Sequence, residues 1–552
     1  MSNLRHVFLI SVCLTGLVRG AGDKPNIVLI MADDLGYECI GANGCEDYQT
    51  PNLDKMAKNG MRFTNCFANP LCTPSRVKLM TGMYNVRNYV RFGTLARGQK
   101  TFAHTLKAAG YRTCIAGKWQ LGKEADSPQH FGFDQSCLWQ HMRSRTRKGT
   151  PNDSRFSNPL LEINGEPKDY SNGEFGPDLC AEFICDFMEE NKEGPFLVYY
   201  PMILTHCPFI PTPETPDWDP TSLGSPTYKG DPKYFVDMDQ HLDKIIGRII
   251  AKLETLKLRE NTIVIFTGDN GTDQPVATMM NGKKILGGKG QMNDNGTRVP
   301  LIITYPGHVQ AGVTSDELVD FTDILPTLCD VAGTPLPSAG LLDGVSLWST
   351  LQGKPGRNKP WAYFWYGRNG DHNKAHVIAR NKTHMVRRMA LDGPVEFLRC
   401  DTPYELEPVQ AEGLDPQEER IFRSLLSVVK DLDEARPDVA ADILKHLPEE
   451  RSQETLAAMH EAQEVIPLLG YPDETAGGLM TPEYPVVKEE ITMAMAMDVL
   501  RLLGRDAEAF SAIFVVDRQG NTANLHTPSI IAANATLVDD FLKTTEGLPW
   551  RA

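Results

Sequence analysis

The chain has 552 residues, a formal net charge of -15 and 41% hydrophobic residues. That length is enough for about three or four domains, and core size sets no limit. The acidic balance argues against a nucleic-acid binder, which would carry a broad basic face.

The first predicted element is an export signal over residues 1–21. Arg5 and His6 precede the apolar run "VFLISVCLTGLV", and small residues follow at "VRGAGD", with cleavage expected near Gly20 or Ala21. The run is about twelve residues, too short to span a bilayer, and no other stretch is long and apolar enough. The product is expected to be secreted or periplasmic. Of the 12 cysteines none follows Cys400. Their spacing shows neither a disulfide framework nor a CxxC metal pattern. Cys39 with Cys45, or Cys180 with Cys185, are candidate pairs, and the rest read as buried cysteines.

Next comes "NIVLIMADD", an apolar strand ending in Asp33 and Asp34. "TIVIFTGDNG" repeats the form later and ends in Asp269, Asn270 and Gly271. Between them lie helical patterns such as "TPNLDKMAKNG" and "TFAHTLKAAG", each closed by glycine. The alternation predicts an α/β fold with a largely parallel sheet. Sites in such sheets gather outside the carboxyl ends of strands. Four oxygen donors without histidine or cysteine favour Ca²⁺ or Mg²⁺ over zinc. Asp and Asn are also ordinary strand-end residues, but adjacent carboxylates repel and a cation relieves them. Cys72, in "PLCTPSRVKLMTG", is open to several readings by itself: a buried small residue, a disulfide half, a nucleophile or the precursor of another group.

These stretches together resemble the type I sulfatases of the alkaline phosphatase superfamily. The matching segments are "PNIVLIMADDLG", "TPNLDKMAKNGMRFTNCF", "CTPSRVKLMTG", "AGKWQLG", "THCPFIP", "FTGDNG", "GGKGQMNDNGTRVP" and "DFTDILPTLCDVAG", in the family's order over roughly residues 24–405. The resemblance implies that Cys72 is oxidised to formylglycine by a formylglycine-generating or anaerobic sulfatase-maturating enzyme. An aldehyde hydrate there attacks sulfur with one hydroxyl and expels sulfate through the second, which a thiolate cannot do. It implies Asp33, Asp34, Asp269 and Asn270 as Ca²⁺ ligands (Mg²⁺ being the other candidate), with the modified Cys72 beside the ion. Arg76 matches the arginine that steadies the hydrated aldehyde. Lys118, His206 and Lys289 match the groups that contact the sulfate, one of them protonating the leaving alcohol. The expected reaction is hydrolysis of a sulfate ester of a glycan or small sulfated compound. The alternatives are phosphomonoester or phosphonate hydrolysis on the same scaffold, or a non-catalytic Mg²⁺-binding regulator.

Three positions depart from the family pattern. Gln120 stands where the family has a histidine that bonds the formylglycine hydroxyl, and glutamine cannot take a proton near neutral pH. Asp294 to Gly296 replace a glycine-rich "EGG", and Met83 replaces a closing arginine. Sequons at Asn270 and Asn295 fall inside site motifs and read as incidental, consistent with a bacterial chain.

The expected division is 22–355 for the catalytic domain and 356–410 for a small antiparallel-sheet domain, with the substrate pocket between them. "HMRSRTRKG" (141–149) is a basic loop that would suit a polyanionic glycan, although a solvated loop is the commoner outcome. From 411 amphipathic helical patterns take over. Residues 411–480 and 481–552 resemble the cytosolic helical domain and a partial CBS domain of MgtE-type magnesium transporters, chiefly through "YPDETAGGLMTPEYPVV".

Overall fold

The computed structural model describes residues 24–142, 154–337, 342–371, 374–390, 393–410 and 413–430, and three short strands beyond them. The predicted export signal, most of the 141–149 basic loop and most of residues 411–552, expected to be transporter-like, lie outside the described residues.

The strands follow in chain order. They are β1 (Asn26–Ala32), β2 (Met61–Phe67), β3 (Arg112–Lys118), β4 (Gln135–Trp139), β5 (Leu160–Ile163), β6 (Glu166–Asp169), β7 (Phe196–Pro201) and β8 (Thr262–Gly268). The hairpin β9 (Ala277–Met280) and β10 (Lys283–Leu286) precedes β11 (Leu301–Thr304) and β12 (Val313–Asp320). Ten of them form one sheet in the order β12-β2-β11-β8-β1-β7-β3-β4-β5-β6. Its centre, β8-β1-β7-β3-β4, is parallel throughout.

β1 lies at the heart of the sheet and is buried on both faces, as its unbroken apolar run predicts. Alternate side chains feed opposite layers. Ile27, Leu29 and Met31 meet Val77, Leu106 and Leu325 from helices on one side. Val28 and Ile30 meet Met56, Ile184 and Leu242 from helices on the other. The result is the expected α/β fold, with a large and mostly parallel sheet between helical layers.

A second sheet, antiparallel throughout, follows. It comprises β13 (Ala362–Tyr366), β14 (His376–Arg380), β15 (His384–Arg388), β16 (Val395–Arg399) and β17 (Glu407–Pro408). Its Phe364, Ile378 and Leu398 pack on Phe67 and Leu318 of the large sheet.

The helix Pro416–Lys430 alters the expected boundary at 410. Its Leu425, Val428 and Val429 are buried in a core that also holds Val386 and Phe397 of the small sheet. Phe422 lies 5.0 Å from Phe397 between ring centroids, and Arg399 Nη2 donates to Glu418 Oε1 at 2.6 Å. This amphipathic helix therefore packs on β14 and β15, and a division at 410 cuts through a shared core.

The proposed cysteine pairs are also unbridged. Cys180 and Cys185 share the helix Gly176–Glu190, where five residues of separation turn them far apart around the axis. The Cys39 thiol instead lies 3.2 Å from Thr272 Oγ1. Beyond the helix, Val486–Lys488 pairs parallel with Ile513–Val516, which pairs antiparallel with Ile530–Ile531. Among the described residues no helix is long and apolar enough to cross a membrane.

Candidate active site

The site is assembled by strand register. β1 and β8 run parallel, paired from Asn26 with Thr262 to Ala32 with Gly268. Asp33 and Asp269, the next residue of each, therefore leave the sheet side by side. β7 lies on the other flank of β1, and its loop returns Thr205 N to Asp33 O at 2.7 Å, which brings His206 to the same edge. β3 pairs with β7 and ends at Lys118. Gly117 makes this close approach possible: its φ is 116°, and a Cβ there would sit 2.0 Å from Pro201 O.

Cys72 is the first residue of the helix Cys72–Thr81, whose N-terminus faces the strand ends. Every residue of this helix is buried. Cys72 Sγ donates to Gln120 Oε1 at 3.0 Å, and Thr73 Oγ1 donates to the same oxygen at 3.2 Å. Burial pushes the Cys72 thiol up, Lys118 and Lys289 only partly opposing it. A thiol held neutral is a poor nucleophile.

Three carboxylates and three cations interleave. Lys118 Nζ donates to both oxygens of Asp33, at 3.0 and 2.8 Å. Lys289 Nζ donates to Asp34 Oδ2 at 2.7 Å. Arg76 Nη2 donates to Asp269 Oδ2 at 3.1 Å, and its Nη1 donates to Lys118 O at 2.8 Å. Burial opposes the charge on Arg76, but Asp269 and Asp33 outweigh it and hold the guanidinium above its usual range. Burial likewise raises the carboxylates. Asp269 is pushed up to about 7 by burial and by Asp33, and Asp34 is also raised. At Asp33, Lys118 and Arg76 outweigh burial and hold the group below its ordinary value. His206 lies well below the usual imidazole range because it is buried and faces Lys289, Lys118 and Arg155.

The arrangement fits a hard cation. Asp33, Asp34 and Asp269 are fully buried. Asn270 Nδ2 donates to Asp34 Oδ1 at 2.8 Å, while the buried Asn270 Oδ1 has no hydrogen-bond partner. A buried carbonyl oxygen without a donor, next to three crowded carboxylates, is a donor set that suits a hard cation. Donor atoms of Asp33, Cys72 and Asp269 lie within 4.8 Å of one another, as do those of Asp33, Asp34 and His206.

All the sequence-predicted residues thus converge: Asp33, Asp34, Cys72, Arg76, Lys118, His206, Asp269, Asn270 and Lys289. Asn270 is fully buried and bonded to Asp34, which leaves its sequon no room for a glycan. Arg155 was not anticipated. It is buried with Nη1 2.9 Å from His206 Nδ1, and its segment "PNDSRFSNP" carries no periodicity or motif to mark it. Asp294, the first of the three residues that replace the glycine-rich "EGG", is buried between Arg298 Nε, at 2.8 Å, and Arg380 Nη1, at 2.5 Å.

Residues 25–334 match the sulfatase family. The chain belongs to that family. Residues 284–418 also match the C-terminal family of N-sulphoglucosamine sulphohydrolase, which takes in the small sheet and the first residues of the helix Pro416–Lys430. Mouse N-acetylgalactosamine-6-sulfatase is 30% identical over 413 residues, 69% of this chain and 76% of that protein. Human arylsulfatase A is 34% identical over 376 residues, 62% of this chain and 70% of that protein. Among solved structures, Ps i-CgsB superposes with a TM-score of 0.61 at 23% identity, covering 74% of this chain and 92% of that one. The phosphonate monoester hydrolase of Agrobacterium radiobacter superposes at 0.56 and 21% identity, covering 74% and 95%. These two likenesses carry the fold alone. This sulfatase is a sulfuric ester hydrolase.

Proposed function

We propose that this sulfatase is exported, depends on calcium and uses a formylglycine made from Cys72 to hydrolyse a sulfate ester of a glycan or small sulfated compound. The observation that carries the reading is the meeting of Cys72 Sγ with Asp33 and Asp269 donor atoms within 4.8 Å, at a helix N-terminus ringed by Arg76, Lys118 and Lys289. Converted, position 72 supplies a hydrated aldehyde, one hydroxyl to attack sulfur and one to release sulfate. Bound calcium supplies Lewis acidity beside it.

The chain's own residues do the rest. Asp33, Asp34, Asp269 and Asn270 would hold the cation. Their three carboxylates formally balance Arg76, Lys118 and Lys289, so a divalent ion leaves the site positive and suited to an anionic ester. Lys118, Lys289 and His206 would meet the sulfate oxygens. Gln120 orients the side chain at position 72 through its amide oxygen. It cannot act as its base, a task that passes to another group. The burial of Asp33, Asp34, Asp269, Asn270, Arg76 and Lys118 strengthens the charges among them.

The enzymatic unit is proposed to end at Lys430, and 431–552 to be an appended module akin to the transporter-like domains. Phosphoester or phosphonate hydrolysis is the competing activity.

The deciding experiment is mass spectrometry of the peptide containing position 72 after co-expression with a formylglycine-generating enzyme, alongside rates on an aryl sulfate and an aryl phosphate. Aldehyde at 72 and a faster sulfate reaction are expected. An unmodified thiol in an active enzyme, or a faster phosphate reaction, overturns the reading.

A further inference from the structure

We propose that Arg155 is a positioning residue that holds His206 as the neutral tautomer protonated on Nε2, making His206 a hydrogen-bond donor to the site and not a metal ligand. The inference rests on the reading of His206 as a group that faces the sulfate.

The argument starts at Arg155, whose placement is tightly determined. It is 2% exposed, and its guanidinium carbon lies 4.1 Å from the centre of the Trp139 ring. Trp139 is held in turn by its Nε1 donating to Ser154 Oγ at 3.0 Å. From this seat Nη1 approaches His206 Nδ1 to 2.9 Å. A guanidinium only donates hydrogen bonds, so this contact is attractive only when Nδ1 offers a lone pair. The single proton of the neutral ring then belongs on Nε2.

One contact pulls the other way. Cys207 O lies 2.6 Å from Nδ1 and would accept a proton from it. Nδ1 has one in-plane position and cannot serve both neighbours. A charge-assisted bond is about twice as strong as a neutral one. Arg155 therefore prevails over the carbonyl.

The consequence reaches the metal centre. Asp33, Asp34 and His206 place donor atoms within 4.8 Å, a grouping that by distance alone would suit a transition metal. A ring protonated on Nε2 has no lone pair there to give. That leaves the all-oxygen set of Asp33, Asp34, Asp269 and Asn270, which selects a hard cation.

The test uses full-length protein labelled with ¹⁵N-histidine, with and without added calcium. Long-range nitrogen–proton correlation spectra report the tautomer, and the His206 signal is identified by its loss in His206→Gln. The expected result is Nε2–H in the wild type under both conditions and in Arg155→Lys, which keeps a donor. Arg155→Met is expected to switch to Nδ1–H, donated to Cys207 O, with kcat/KM on an aryl sulfate lowered about tenfold or more. Arg155→Lys should recover most of that loss. A wild-type Nδ1–H signal, a calcium-dependent change of tautomer, or an unchanged tautomer in Arg155→Met overturns the proposal. If Arg155→Met does not fold, the wild-type spectra still decide. A fully active His206→Gln would instead overturn the reading of His206 as a sulfate contact and leave the tautomer result standing.

Discussion

Lys118 grips both carboxylate oxygens of Asp33, at 3.0 and 2.8 Å, with both side chains fully buried. Asp33 is also one of the proposed calcium ligands, so calcium that binds the folded chain alone should stabilise it. Thermal unfolding followed during a calcium titration should show a rising Tm, with about 2.7 kcal/mol gained at a hundredfold excess over Kd. Asp33→Ala and Asp269→Ala should flatten that response. A full calcium-dependent rise in either variant would show that the ligand set is wrong.

Cys72→Ala should abolish turnover while leaving the fold intact, because the side chain makes one hydrogen bond, to Gln120. A rate loss of about a thousandfold or more on an aryl sulfate is expected for loss of a nucleophile. Retained hydrolysis in purified Cys72→Ala would refute the covalent route.

Gln120 contacts Cys72 but offers no basic nitrogen. Gln120→His should therefore raise kcat by about tenfold or more, within the range of general base catalysis. It should also introduce an ascending limb into the pH–rate profile near the imidazole pKa. A profile and rate identical to the wild type would show that position 120 takes no part in proton transfer.

Asp294 ties the two sheets together through Arg298 and Arg380 of β14. Burial works to raise its pKa, but the two guanidinium groups outweigh it and hold the carboxyl well below the ordinary value. A depressed carboxylate pKa favours the fold above the unfolded value of about 3.9 and loses that contribution as pH falls below it. Asp294→Asn should cost about 3–5 kcal/mol at neutral pH, since it leaves two buried arginines short of charge. The gap from the wild type should stay level above about pH 5 and narrow in more acidic solution. Chemical denaturation at several pH values measures it, and a gap that widens on acidification would contradict the sign.

Truncation distinguishes the two candidate boundaries. Ending the chain at residue 410 removes Leu425, Val428 and Val429 from their core, each contributing about 1.5–3 kcal/mol by burial. That form should aggregate or unfold. A chain ending after Lys430 should remain folded and active. Leu425→Ala alone should cost about 2–5 kcal/mol. Equal stability of the two truncated forms would show that the helix is idle.

The acidic edge of the candidate site was legible in the sequence because it sits at strand ends, where local pattern and position coincide, whereas Cys72, Arg76, Lys118, His206 and Lys289 were indicated only by the resemblance to a family. An apolar run closing in Asp33-Asp34, and another closing in Asp269-Asn270, predicted both the buried strands and the oxygen-rich edge. Three features emerged only from the tertiary structure. Arg155 reaches His206 across 51 residues of chain, and Arg380 reaches Asp294 across 86. The helix Pro416–Lys430 shows an apolar stripe that reads the same whether it faces other helices or a sheet. Periodicity reports that a face is buried and says nothing of what covers it. Long-range pairs of charge depend on how sheets and loops stack, and that is decided by packing over the whole chain.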